Sequence, residues 1–484
     1  MSNRGDLATL VVQNLGFEPT PEQELAIRQC ADFLLSRADD QVFLLTGYAG
    51  TGKTSLVSAV VKTLRELKQP VMLLAPTGRA AKVFSLYAQT PAYTIHKKIY
   101  RQKSLSDPDT FQANVNLHKH TLFLVDEASM IANDGLGGSM FGTGRLLDDL
   151  IHYVYSCEGC RLMLIGDTAQ LPPVGEQQSP ALSTPVLRGY GLQVHGTCLT
   201  QVVRQRGASG ILWNATQLRL CLSEMQVFAF PRLRLNGFPD IRVMPGDELI
   251  EALEDSFYHV GHDETIVITR SNKRANIFNC GIRARILDFE EELCGGDQIM
   301  VAKNNYFWAE QNRDASEPRG HETMPFIANG DVAVVIRVHN ERKFYGFRFA
   351  DVLLRFPDYD NREMEVTVLL DTLQSEAPAL THEAQEQLFQ AVWEDYPEIK
   401  DRRLRAQRIK EDIYYNALQI KYAYAVTCHK AQGGQWSHVY IDQGYVTQEM
   451  LSADYFRWLY TALTRATEKV FLVNWPKNQM EASD

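Results

Sequence analysis

The chain has 484 residues, 45% hydrophobic and 22% charged, a balance that excludes global disorder; by length it should divide into about three domains. Lys and Arg number 49 against 59 Asp and Glu, so the net charge of −10 excludes a histone-like cationic coat but not a local basic groove for a polyanion. The 8 cysteines lack the regular spacing of a disulfide framework and fit a reducing compartment. There is no apolar run of about 18 residues to span a bilayer, and the stretch before Pro19 has too short an apolar core for a signal peptide. A cytoplasmic protein without a membrane partner is expected.

From the N-terminus, the apolar runs VFLLT (42–46), VMLLA (71–75), LFLV (122–125) and LMLI (162–165) read as strands, each followed by a turn and a helical stretch. TIVIT (265–269), HVYI (438–441) and VFLV (470–473) repeat the pattern later. Continuous apolar runs belong to strands covered on both faces, so the fold class is α/β with parallel sheets. The gap between the two groups of strands predicts two cores. Residues 97–120 are polar and turn-rich, a small excursion from the first core. Residues 297–420 form a larger insertion: β-like segments such as DVAVVIRV and EVTVLL, with a turn at Asn329-Gly330, then a helical pair broken at Pro397. The predicted organisation is core 1 over 1–200, core 2 over 201–296 plus 421–484, and a β-barrel-like and helical domain over 297–420.

GYAGTGKT, Gly47 to Thr54, fits G-x-x-x-x-G-K-[ST] between a strand and a helix. Its glycines let backbone N–H groups turn toward phosphates at the positive end of a helix dipole. The residues expected to hold the nucleotide are Gly47, Gly50, Thr51, Gly52, Lys53, Thr54 and Ser55. Lys53 would neutralise charge on the β and γ phosphates, and Thr54 would ligate Mg²⁺. LFLVDEAS ends its strand in Asp126, suited to the coordination sphere of Mg²⁺, and Glu127, suited to polarising an attacking water. One bound triphosphate and its hydrolysis are expected. The charge on the transferring phosphoryl group calls for arginine, and Arg204 and Arg465 are the candidates.

The ordered series GYAGTGKT, APTGRAA (75–81), TIH (94–96), LVDEAS, IGDTAQLPPV (165–174), VVRQ (202–205), TCHKAQGGQW (427–436) and YTALTRA (460–466) resembles the motif set of superfamily 1 helicases. The RecD/Dda-like branch, whose members move 5′ to 3′ on single-stranded DNA, is the most similar. The resemblance implies two RecA-like cores, an SH3-like barrel in the insertion, ATP with Mg²⁺, and an ATP-dependent 5′-to-3′ DNA translocase and helicase. It implies that Gln23 reads adenine, although Thr20, Pro21 and Gln23 also form a helix capping box. Gln170 would sense the γ-phosphate, Arg204 and Arg465 become arginine fingers, and Gln432 and Gly434 lie beside the nucleotide. Pro76, Thr77, Thr94, His96, Asn272, Lys273, Thr427 and His429 match positions that touch the strand without reading its sequence. For His96 and His429 a structural histidine is the competing reading. Tyr100 and Phe111 could stack on bases or split a fork, with core packing as the alternative. The implied partners are single-stranded and forked DNA, with single-strand-binding or replication and repair proteins besides, and the implied state is a monomer. An RNA helicase or remodeller, or a motor subunit of a nuclease complex, are the alternative readings.

Some features depart from the family or stand outside it. Gly434 adds a second glycine before Gln435-Trp436, which should loosen that loop. DGLGGSMFGTG (134–144) reads as a Gly-rich surface loop. Cys157 and Cys160 have metal-like spacing without a second pair of ligands. Arg402, Arg403, Arg405, Arg408 and Lys410 lie on a predicted helix flanked by acids, read as a solvated face before a strand contact.

Overall fold

The computed structural model describes residues 4–36, 38–104, 107–134, 142–203, 209–312, 324 and 326–481. In the first strand, Gln41–Gly47, side chains alternate between two cores. Val42 and Leu44 pack with Phe123, Val125, Leu147 and Leu150 on one face. Phe43 and Leu45 pack with Ile27, Leu56, Val60 and Phe84 on the other. Both faces are covered by helices, which is why the run is apolar throughout. The resulting six-stranded sheet runs Ala92–Thr94, Val71–Ala75, Leu122–Val125, Arg161–Gly166, Gln41–Gly47, Gln193–Leu199, all parallel. The two outer strands escape the apolar-run criterion for physical reasons. Ala92–Thr94 has three residues, and QVHGTCL is an edge strand exposed over most of its length.

A second parallel sheet of five strands orders Ala425–Thr427, Thr265–Thr269, Trp436–Asp442, Ala466–Val473 and Ile241–Met244. The short strands at its two edges, Ala425–Thr427 and Ile241–Met244, lie outside the predicted runs. The two sheets with their helices are called the first and second lobe below.

Inserted within the second lobe, between Thr265–Thr269 and Ala425–Thr427, lies a closed barrel of Gln298–Val301, Val332–Phe344, Phe347–Phe356, Arg362–Leu369 and Leu418–Tyr422. The α/β class with a small β-rich unit is thus as expected. Alternating residues such as Ala333, Val335, Val352, Leu354, Val366 and Val368 fill the barrel, and this core runs on into Val267, Tyr440 and Phe471 of the second lobe. A buried ion pair marks the junction: Arg283 donates to both oxygens of Asp297 at 2.8 Å, joined by Cys294 N at 2.8 Å and Tyr424 OH at 3.1 Å. The helices His382–Glu394 and Arg402–Lys410 flank Pro397 as a projection from the barrel. Arg405 is used in docking that projection, donating to Trp393 O at 2.9 Å and lying 4.5 Å over the Trp393 ring, whereas Arg402, Arg403 and Arg408 are exposed.

The barrel rests on both lobes. A Cβ on Gly78 of the first lobe would come within 2.8 Å of Asp331 Oδ1 and Tyr359 OH, and Lys82 pairs with Asp358 at 3.0 Å. From the second lobe Lys430 donates to Asn329. The 97–120 excursion contains a hairpin, Tyr100–Ser104 with Asp107–Ala113. Among the described residues no helix is long and apolar enough to cross a membrane.

Candidate active site

Gly47 closes the first strand and Lys53 opens the helix Lys53–Glu66. Between them Gly50 and Gly52 adopt φ of 74° and 82°, the left-handed region that glycine enters without steric cost. Gly52 also needs the room, because a Cβ there would lie 2.5 Å from Gln23 Nε2. Thr51 is buried and donates its hydroxyl to Tyr48 O at 2.8 Å. Lys53 Nζ donates to Gly47 O and Tyr48 O, each at 2.8 Å, so the ammonium is held on the inner side of the loop. Gln23 forms both halves of the capping box: its side-chain oxygen accepts from Thr20 N at 3.0 Å and Thr20 Oγ1 accepts from Gln23 N at 3.3 Å. Its amide nitrogen donates to Thr51 O at 3.1 Å. Fully buried, Gln23 braces the phosphate loop from behind.

A cavity of about 1100 Å³ opens over this loop, lined by Gly50, Gly52, Lys53, Thr54, Ser55, Asp126, Glu127 and Gln170 of the first lobe and Thr464 and Arg465 of the second. Asp126 and Glu127 follow the strand Leu122–Val125. Glu127 takes a left-handed φ of 51°, uncommon for a side-chain-bearing residue and a form of strain found at functional sites. Its N–H donates to Asp126 Oδ1 at 2.8 Å. Burial, with the charge of Glu127 beside it, pushes the Asp126 carboxyl up to about 7. Arg465, 4% exposed, has NH1 3.9 Å from Glu127 Oε1. It is steadied by Thr461 O at 3.2 Å and Gly434 O at 3.3 Å. Gln170 Oε1 is buried with no hydrogen-bond partner among the described residues. Carboxylates crowded beside Thr54, with a cationic lysine and arginine across the same cavity, fit a polyanion carrying a divalent cation.

The second lobe reaches the first lobe's loops through residues that motif reading passed over. Tyr460 OH donates to Asp167 Oδ2 at 2.6 Å, and Thr461 Oγ1 accepts from Leu171 N at 2.9 Å. Both precede Arg465 within YTALTRA, so the motif pointed at the segment without assigning these side chains. Gln432 donates to Leu171 O at 2.7 Å and is buried, and Gly434 packs so close to Trp436 that a Cβ would lie 2.4 Å from that ring. Gln435 is the member of that loop that lines the cavity. Nor is the loop loose, as the extra glycine suggested. Arg79 donates to Gln435 O at 2.9 Å and stacks 4.1 Å over Trp436, and Tyr87 OH donates to Gln435 Oε1 at 3.1 Å. Arg204 and residues 135–141 of the Gly-rich segment lie outside the described residues.

The candidate strand contacts lie at the carboxyl ends of strands, where open α/β sheets bind ligands. Pro76 and Thr77 follow Val71–Ala75; Thr77 caps the helix Gly78–Ala88 by accepting from Ala80 N at 3.2 Å. Thr94 ends its strand and caps Ile95–Ile99 through Lys97 N at 3.2 Å. Thr427 ends Ala425–Thr427, and His429 is exposed in the helix that follows. Asn272 and Lys273 begin the helix Asn272–Arg285 and meet Glu376 of the insertion, through its carbonyl at 3.0 Å and its carboxylate at 4.0 Å. His96 is partly buried 5.7 Å from the Tyr100 ring, and burial pushes its imidazole down to about 4, which leaves it neutral at physiological pH. Tyr100 itself is 6% exposed and donates to Asp149 Oδ2 at 2.7 Å; packing, not base stacking, accounts for it. The side chain of Phe111 lies outside the described residues. Cys160 is buried against His118 O, and among the described residues no cluster of three His, Cys, Asp or Glu forms a metal site.

The AAA domain family matches residues 19–220, and the UvrD-like helicase C-terminal domain matches residues 422–473. An uncharacterized protein of Acanthamoeba polyphaga mimivirus is 21% identical over 93% of this chain and 98% of its own length. The ATP-dependent RecD2 DNA helicase of Deinococcus radiodurans is 24% identical over 91% of this chain, which spans 48% of that longer relative. Among solved structures, a Bacteroides Pif1 helicase in complex with ADP-AlF3 and ssDNA covers 97% of this chain and 95% of its own, at 15% identity and a TM-score of 0.47. The chain thus carries an AAA domain followed by a UvrD-like helicase C-terminal domain, and its sequence is similar to those of RecD2 and Pif1 DNA helicases.

Proposed function

We propose that the protein is an ATP-dependent 5′-to-3′ single-stranded DNA translocase and DNA helicase, with division into cores 1–200 and 201–296 plus 421–484 and an inserted domain 297–420. One observation carries the reading: a single cavity has walls from both lobes, with Arg465 of the second lobe 3.9 Å from Glu127 of the first. The loop N–H groups between Gly47 and Thr54, with Ser55 behind them, would hold the triphosphate, and Lys53 would neutralise its outer charge. Thr54 and Asp126 would hold Mg²⁺, which when bound draws charge off the phosphate oxygens. Glu127 orients and deprotonates the attacking water, and Gln170 offers its amide to the terminal phosphate. Arg465 stabilises the charge that develops there, with Arg204 as the second finger.

The strand would cross both lobes over Pro76, Thr77, Thr94, His96, Asn272, Lys273, Thr427 and His429, held by backbone contacts without base readout. Nucleotide favours the lobes drawn together, and its loss favours them apart. That difference in affinity is the source of directed motion, since a ligand shifts a conformational equilibrium only by binding its states unequally. Single-stranded and forked DNA are the proposed substrates, and a monomer the proposed working unit.

The test uses duplexes carrying a 5′ overhang alone or a 3′ overhang alone, with and without ATP. Strand separation confined to the 5′-tailed duplex with ATP is expected; separation of the 3′-tailed duplex alone refutes the polarity, and ATP-independent separation refutes the motor. Stimulation of ATP hydrolysis by oligo-dT above oligo-U is expected, and the reverse order identifies an RNA motor.

A further inference from the structure

Tyr460 stands in the helix Ala453–Leu463 of the second lobe, 1% exposed. Its hydroxyl accepts from Ala49 N, inside the phosphate loop, at 2.9 Å and donates to Asp167 Oδ2 at 2.6 Å. One oxygen therefore ties a second-lobe helix to two first-lobe loops that border the cavity. Asp167 is 1% exposed, and its other oxygen accepts from Ala169 N at 2.9 Å, which fixes the turn leading to Gln170. The same turn is held from the second lobe at Leu171, whose N–H reaches Thr461 Oγ1 at 2.9 Å and whose carbonyl accepts from Gln432 at 2.7 Å.

A phenol suits this position because it donates and accepts at once, and burial, with the Asp167 charge beside it, raises its pKa well above the ordinary tyrosine value, so it remains O–H. Phenylalanine would fill the same space and make neither bond. Ala49 N–H and Asp167 would then lose a buried partner each, and the two loops would lose their common tether to the second lobe.

We infer that Tyr460 is a positioning residue that couples lobe docking to catalysis, by setting the phosphate loop through Ala49 and the Gln170 turn through Asp167. This rests on the reading of the cavity as an ATP site. Docking of the second lobe brings one hydroxyl onto both loops together, so the phosphate cradle and the γ-phosphate sensor take their working shape only when Arg465 also arrives. The residue touches neither phosphate nor water in this scheme and acts through the two loops.

The test compares wild type, Tyr460→Phe, Asp167→Asn and the double variant in steady-state ATP hydrolysis with saturating single-stranded oligonucleotide. A fluorescent ADP analogue counts folded nucleotide sites. Tyr460→Phe is expected to lower kcat roughly 10- to 100-fold per site, the effect of two lost buried hydrogen bonds, with the KM for ATP within about threefold of wild type. The double variant is expected to be no slower than the slower single variant, since both changes cut one chain. A merely structural tyrosine would reduce the number of sites and leave kcat per site alone. A kcat per site within threefold of wild type for Tyr460→Phe, or multiplicative losses in the double variant, overturns the inference. Should Tyr460→Phe not fold, Asp167→Asn carries the same expectation, and an unchanged kcat there overturns it equally. Wild-type protein without ATP hydrolysis would instead remove the reading on which the inference rests.

Discussion

Replacing Arg465 with Ala removes a guanidinium that the second lobe holds rigidly at the cavity wall. The side chain is 4% exposed, anchored to Thr461 O and Gly434 O, with NH1 3.9 Å from Glu127 Oε1. Two unit charges at that separation interact by about 4 kcal/mol at an effective dielectric constant of about 20. Developing charge on a terminal phosphate held near Glu127 would feel a similar force. That energy corresponds to roughly 10³-fold in rate, the lower end of what an arginine finger supplies. Hydrolysis at saturating ATP and single-stranded oligonucleotide should therefore fall about 10³-fold in Arg465→Ala, with ATP affinity changed far less. Arg465→Lys should recover little of the loss, because an ammonium lacks the planar fork. A loss under tenfold in folded Arg465→Ala would refute the finger assignment and the Coulomb reasoning behind it.

Other expectations concern the rest of the site and the scaffold. Glu127→Gln should bind ATP and fail to turn over, seen as retained nucleotide in a filter-binding assay; wild-type turnover would deny Glu127 the water-activating role. Lys53→Ala should abolish hydrolysis, and normal activity would contradict the phosphate-loop assignment. Asp297→Ala should destabilise the barrel junction by about 3–5 kcal/mol, the usual cost of leaving one partner of a buried pair uncompensated, because Arg283 would retain Glu291 O at 2.7 Å but no carboxylate. Chemical denaturation followed by tryptophan fluorescence reads this, and a change under 1 kcal/mol would show the pair to be dispensable. Affinity for single strands should fall with log salt at a slope of about −0.7 per phosphate contact, so a flat response would deny a backbone-tracking groove.

The two sheets were legible because each central strand is apolar on both faces, and the phosphate loop and carboxylate pair because chemistry fixes their residue types and spacing. What escaped was the set of short or edge strands, such as Ala92–Thr94 and Gln193–Leu199, whose residues do not face two cores. In the site, the motifs named Lys53, Asp126, Glu127, Gln170 and Arg465, which line one cavity, but not Tyr460, Thr461 and Asp167, whose bonds join the lobes beside it. Gln23 carried two readings; its bond to Thr20 belongs to the expected capping box, and its bond to Thr51 O is a brace on the phosphate loop that sequence did not show. The glycine pair before Gln435 suggested looseness, because sequence does not show Arg79 and Trp436 closing over that loop from different lobes. Tyr460 and Asp167 are 293 residues apart, and only the folded arrangement of the lobes brings them to 2.6 Å.

The most direct test of the two-lobed clamp is a structure of the protein with a single-stranded oligonucleotide and a transition-state analogue of ATP bound. The account predicts the analogue between the lobes, with Lys53, Gln170 and the Arg465 guanidinium all within hydrogen-bonding distance of the group that mimics the terminal phosphate. An analogue seated on the first lobe alone, with Arg465 still turned to Glu127 and Gly434, would contradict it.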